Sequence, residues 1–77
     1  MRDKLTWLVA DVLAVEPESV NETLAPGTSE NWDSLNHLRL ISAVEEEFAV
    51  SFTMREIESI RGFAALRALV DSKRGAA

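Results

Sequence analysis

Apolar residues recur with a helical period over most of the chain. Leu5, Leu8, Val9, Val12 and Leu13 follow the i, i+3, i+4, i+7, i+8 spacing of one buried helix face. Asp3, Lys4 and Asp11 fall off that face. Pro17 restricts the residue before it, so the pattern predicts a first helix over about residues 3–15. No period is sustained over residues 16–32, where Pro17, Asn21, Pro26, Gly27, Ser29 and Asn31 favour turns. A loop this long in a small domain is expected to be functional, or pinned by its own apolar side chains. Val20, Leu24 and Trp32 are the candidates for pinning it.

Helical spacing returns from Asp33 to Ala49, with Leu40, Ile41, Val44 and Phe48 on one stripe, Leu38 beside it and Leu35 near the start. Glu45, Glu46 and Glu47 stand in the last turns, where acidic groups oppose the helix dipole. A short third helix is announced by the capping box Thr53-Met54-Arg55-Glu56, with Phe52 and Ile57 at the staple positions and Gly62 as its expected stop. Phe63, Leu66, Leu69 and Val70 give a last helical face. Residues 72–77 are expected to fray. The fold class is all-α: a small four-helix bundle of three main helices and one short one, read as a single domain over residues 1–71 with a tail at 72–77.

Composition narrows the possible functions. The chain has 77 residues, a net charge of −5 and a pI of about 4.7. An acidic chain of this kind is a poor match for nucleic acid or anionic membrane surfaces. It has no cysteine, hence no disulfide, no thiolate nucleophile and no Cys-based zinc site. A single histidine, His37, is too few for a His-based metal cluster. No apolar run approaches the roughly 20 residues of a membrane span. The start, Met1-Arg2-Asp3-Lys4, leads directly into a charged helical pattern and does not read as a signal peptide. The expectation is a cytoplasmic, monomeric domain too small for a deep catalytic pocket.

Two residues could carry chemistry. His37 follows Ser34 by three positions, so both fall on one helical face, but a nucleophile needs a base that is itself oriented by a third group. Phosphate-binding Gly-rich loops and H-E-x-x-H are absent. Asp33-Ser34-Leu35 opens the second helix after the long loop. Asp33 is a favoured N-cap residue, and a bland cap accounts for the dipeptide. The alternative is that the Ser34 hydroxyl, at a helix N-terminus favourable to an anionic phosphodiester, is modified by a second enzyme that brings its own base and metal.

The run Trp32-Asp33-Ser34-Leu35-Asn36-His37-Leu38-Arg39-Leu40-Ile41, followed by Val44-Glu45-Glu46-Glu47-Phe48, resembles the attachment helix of an acyl carrier protein. The spacing from Ser34 to Phe48 matches without a gap, and the other helices, the loop and the length agree. The resemblance implies a freestanding carrier and not an enzyme. Ser34 would receive 4′-phosphopantetheine from coenzyme A through a phosphopantetheinyl transferase. Asp33 would help hold that enzyme's magnesium ion, and Leu35 would flank the attachment point. Cargo would ride as a thioester on the arm's thiol, loaded by an acyl- or aminoacyl-loading ligase and passed to downstream synthases or transferases. An acyl chain sheltered between the helices would meet Leu40, Ile41, Val44, Phe48, Phe52, Ile57, Ile60, Leu66 and Val70, with little room beside Phe48, Phe52 and Phe63.

Departures from the family pattern also carry information. Trp32 stands where the family usually has glycine close before the aspartate. Asn36 and Arg39 occupy positions that are often acidic in fatty-acid carriers, whose enzymes read that face with Lys and Arg. Arg39 would repel such patches, which points to a specialised lipid or polyketide pathway. Partner docking is assigned to Asn36, Arg39, Glu45 and Glu46. The alternatives are an aminoacyl or peptidyl carrier, which usually shows Gly-Gly before the serine, and an unmodified helical adaptor.

Overall fold

Asp3 starts the first helix, α1 (Lys4–Leu13). Its Oδ1 accepts the Thr6 backbone N–H at 3.0 Å and the Thr6 hydroxyl at 2.9 Å, which satisfies a donor that the helix itself leaves unpaired. α1 stops two residues before the expected end. Ala14 takes a left-handed conformation, φ 56°, and turns the chain before the restriction set by Pro17 applies. Three further α-helices follow in the computed structural model, which describes residues 3–75: α2 (Ser34–Phe48), α3 (Met54–Ser59) and α4 (Phe63–Gly75). No strand occurs among the described residues. The four-helix, all-α expectation is therefore met. None of these helices is long and apolar enough to cross a membrane.

One apolar cluster holds the helices together. α1 contributes Leu5, Val9 and Leu13; α2 contributes Leu40, Ile41 and Val44; α4 contributes Phe63, Leu66 and Val70. The stripes read from the sequence are the buried faces, with Leu8, Val12 and Leu69 half-buried at their edges. The loop between α1 and α2 is pinned as expected by Val20, Leu24 and Trp32, all buried. It also organises itself. Residues Pro17–Ser19 form a 3₁₀ turn, and the Asn21 side chain accepts the Thr23 N–H at 2.9 Å. Asn31 Nδ2 donates to the Leu13 carbonyl at 2.9 Å, closing the loop's far end onto an open carbonyl at the end of α1.

α3 is the exception, because it buries none of its own residues. Apolar anchoring comes from Phe52 before it and Ile60 after it. Within the helix, half-buried Ile57 packs against the core and polar contacts hold the rest. The Thr53–Glu56 capping box is complete: Thr53 N–H donates to Glu56 Oε1 at 2.8 Å, and Glu56 N–H donates to Thr53 Oγ1 at 3.1 Å. Lys73 on α4 pairs with Glu56 at 3.0 Å. The hydrogen bond from the Thr53 backbone, and then Lys73, hold the Glu56 carboxyl below the usual range.

One helix-end expectation is corrected. Gly62 is not a left-handed stop for α3, which is closed by the extended Ile60. Gly62 serves a close approach: a Cβ there would lie 2.8 Å from the Leu24 carbonyl, the same oxygen that accepts the Phe63 N–H at 2.9 Å. The left-handed positions fall instead on Ala14 and Ala49, at the ends of α1 and α2. α4 runs as far as Gly75, with Lys73 tied to Glu56 and Arg74 4.9 Å from the centre of the Phe48 ring. Residues 76–77 lie outside the described residues.

The start of α1 is joined to α4 by Asp3 and Arg67, whose Nη2 lies 2.9 Å from Asp3 Oδ1 and whose Nη1 lies against Oδ2. That guanidinium holds the Asp3 carboxyl well below its ordinary value of 3.8. A carboxyl depressed on folding contributes stability that is present above its unfolded pKa and is lost as pH falls through the folded one. We therefore expect the thermal midpoint to fall as pH drops below about 4, and Asp3→Asn to flatten the decline. The effect should be modest, since both side chains are a third or more exposed and water screens them. Melts of both proteins between neutral pH and the acid limit would check this.

Candidate functional site

The N-terminus of α2 is set by Asp33, whose backbone is extended and whose Oδ1 accepts the Asn36 N–H at 2.8 Å. That cap makes Ser34 the first residue of the helix. Ser34 is exposed, and its hydroxyl makes no hydrogen bond within the described residues. Leu35 follows at 65% exposure. Asn36 is half-buried because its Nδ2 donates to the Asn31 carbonyl at 2.7 Å, fixing the last turn of the loop under the helix start.

A groove of about 620 Å³ opens beside Ser34, between α2 and α3. Asp33, Ser34, His37 and Leu38 line it from α2 and its cap, and Met54, Ile57 and Glu58 from α3. Buried Trp32 and Ile60 form its base, with Pro26 at its rim. Leu35, Leu38 at 54% and Met54 at 68% leave an apolar rim exposed around the serine. The groove carries two carboxylates, from Asp33 and Glu58, and no Lys or Arg.

His37 is not a base for Ser34. Trp32 Nε1–H donates to His37 Nδ1 at 3.0 Å, and His37 Nε2 lies 3.0 Å from the Ile57 carbonyl. An indole nitrogen can only donate, so Nδ1 must accept and Nε2 must carry the proton given to Ile57. Both nitrogens of a neutral imidazole are therefore committed, and the two rings lie nearly parallel with centroids 6.2 Å apart. No cluster of metal-ligating side chains forms among the described residues. The site offers an uncommitted hydroxyl at a helix start, beside an open groove, with its one imidazole committed elsewhere. Those features fit attachment of a phosphopantetheine arm by another enzyme: the oxygen is accessible, and the groove gives the arm somewhere to lie.

The remaining residues singled out in the sequence divide in two. Arg39 and Glu46 are exposed on α2 and make no hydrogen bond, ion pair or ring contact within the described residues. Glu45 is half-buried, its Oε2 accepting the Phe52 N–H at 2.8 Å, and Glu47 pairs with Lys4 at 3.5 Å. Two members of the acidic triplet thus have structural partners that offset their poor placement on the helix dipole. Of the nine residues expected to surround a sheltered chain, only Ile57 and Ile60 line the groove; the rest lie elsewhere in the core or at its edge. The clasp between Trp32, His37 and α3 was missed in the sequence. Its one legible sign is a tryptophan among pinning residues, since a buried indole needs an acceptor and the chain has a single histidine nearby.

Comparison with known proteins agrees with this geometry. A family model described as "Phosphopantetheine attachment site" matches residues 3–70. The chain is 39% identical over 59 residues to an acyl carrier protein of Thermosynechococcus vestitus, an alignment covering 77% of this chain and 73% of that one. It superposes with a TM-score of 0.84 on the solution structure of a holo acyl carrier protein from Geobacter metallireducens, at 25% identity, covering 94% of this chain and 83% of that one. The chain belongs to the acyl carrier protein family, whose members carry cargo on a covalently bound phosphopantetheine and are not enzymes.

Proposed function

We propose that Ser34 is the attachment residue and that this protein carries an acyl group in a dedicated pathway, such as one making a specialised lipid or polyketide. The observation that carries the assignment is the Ser34 hydroxyl, exposed and uncommitted at the first position of α2 with the groove beside it. Asp33 is exposed next to it and available to a transferase's magnesium ion. When bound, the arm supplies the terminal thiol that a chain without cysteine lacks. This chain's own part is to present the hydroxyl on a capped helix while His37 is held by Trp32 and Ile57. Incubation with coenzyme A, magnesium and a broad-specificity phosphopantetheinyl transferase should add one phosphopantetheinyl group to the intact mass, and peptide fragmentation should place it on Ser34. Addition at another serine, or none while a reference carrier in the same tube is modified, would overturn the assignment.

The docking face runs along α2 through Leu35, Arg39 and Glu46, spaced to lie on one side of the helix and all exposed. Asn36 and Glu45 shape that face from their half-buried positions. Arg39, a cation with no partner among the described residues, selects enzymes that place a carboxylate opposite it. An enzyme that docks carriers through a basic patch should gain from Arg39→Glu. Exchanging one like-charge contact for an attractive one is worth about 1 kcal/mol, or about a fivefold rise in kcat/KM. Malonyl transfer by such an enzyme, measured at low and high salt, would show the gain shrinking as salt rises.

A further inference from the structure

We infer that Trp32, His37 and the Ile57 carbonyl form a clasp that shuts the passage from the groove into the helical core, so that this carrier keeps its cargo on the groove and excludes long acyl chains from its interior. The inference rests on Ser34 being the attachment residue. Ser34 lies on the first turn of α2, and the groove it lines runs between α2 and α3. A chain tethered there reaches the core by parting those two helices. His37, one turn below Ser34, spans that gap: its Nε2 is bonded at 3.0 Å to a backbone carbonyl of α3. Trp32 stands behind it, only 2% exposed, with its N–H held by the other imidazole nitrogen.

The chemistry of opening favours the closed state. Parting the helices takes the Ile57 carbonyl away from His37 Nε2–H, whose ring is held in place by Trp32. An apolar chain brings no acceptor to replace that carbonyl, and a buried polar group left unpaired costs more than a made hydrogen bond contributes. α3 has no fully buried residue and packs against the core only through half-buried Ile57, so the clasp adds a directional bond that fixes it against α2. Beyond the clasp, Leu40, Val44 and Leu66 are fully buried and do not line the groove. The cargo suited to this carrier is therefore a short or polar acyl group that needs no shelter.

The test compares ¹H–¹⁵N spectra of the wild-type protein carrying acetyl- and octanoyl-phosphopantetheine. Each species is confirmed by intact mass beforehand, so a failure of Ser34 modification shows at that step and not in the spectra. Lengthening the chain should leave the amides of Leu40, Val44, Leu66 and Val70 in place and confine any shifts to Leu38, Met54, Ile57 and Glu58. Octanoyl-dependent shifts at the first set would overturn the inference. In Trp32→Leu, which removes the N–H and much of the ring, octanoyl should move the interior set. A folded variant whose interior stays unmoved would sink the clasp as the cause. If that variant does not fold, the wild-type comparison decides alone.

Discussion

Replacing Ser34 with Ala should abolish phosphopantetheinylation while leaving the fold intact. The two outcomes separate cleanly because of how α2 begins. The cap belongs to Asp33, which accepts the Asn36 N–H, and the Ser34 hydroxyl makes no bond within the described residues. An exposed substitution away from any cap, core or network changes stability by no more than about 0.5 kcal/mol. The mass gain on incubation with coenzyme A should therefore vanish, with thermal and urea midpoints close to those of the wild type. His37→Ala, by contrast, should still be modified, since His37 is committed to Trp32 and Ile57 and plays no part in activating the serine. Loss of modification in a folded His37→Ala would return the imidazole to the chemistry.

The second large effect concerns Trp32. It is among the largest fully buried side chains, at 2% exposure, and it closes the base of the groove. Trp→Ala in a core costs about 3–5 kcal/mol. Whole-domain stabilities run from about 5 to 15 kcal/mol, and a domain of this size belongs near the lower end, so Trp32→Ala should keep no more than about 2 kcal/mol and be only marginally folded at 25 °C. Trp32→Phe divides the effect. It keeps most of the ring but leaves His37 Nδ1 without its donor, for an expected loss of about 1–3 kcal/mol. Urea unfolding of the two variants would give both values. A Trp32→Phe protein as stable as the wild type would mean that the indole–imidazole bond contributes nothing to stability, and that ring volume alone holds the loop.

The periodic parts of this molecule could be read from residue order. The stripes of α1, α2 and α4, the capping box of α3 and the candidate serine all rest on local spacing, and spacing is what a linear sequence displays. Features that depend on meeting a distant backbone atom were hidden. His37 takes its role from a carbonyl on another helix, and Gly62 from the carbonyl of Leu24, and no residue type marks either oxygen. The helix ends failed for another reason. Left-handed caps favour glycine, yet α1 and α2 close on Ala14 and Ala49, whose backbone N–H groups bond to carbonyls in the last turns of their own helices. Glu45 and Glu47 looked misplaced beside the helix dipole until their partners, the Phe52 amide and Lys4, came into view.

The two tryptophans also make this carrier self-reporting. Trp7 is exposed on α1, remote in sequence from Ser34, while Trp32 is enclosed and hydrogen-bonded beneath the groove. Their emission should differ in colour: red-shifted from the solvated indole and blue-shifted from the enclosed one. The second lines the same groove as Ser34, where a change at Ser34 can alter its surroundings. With Trp7→Phe as background, the remaining fluorescence becomes a label-free optical signal of what happens at the groove, readable in real time during loading and unloading.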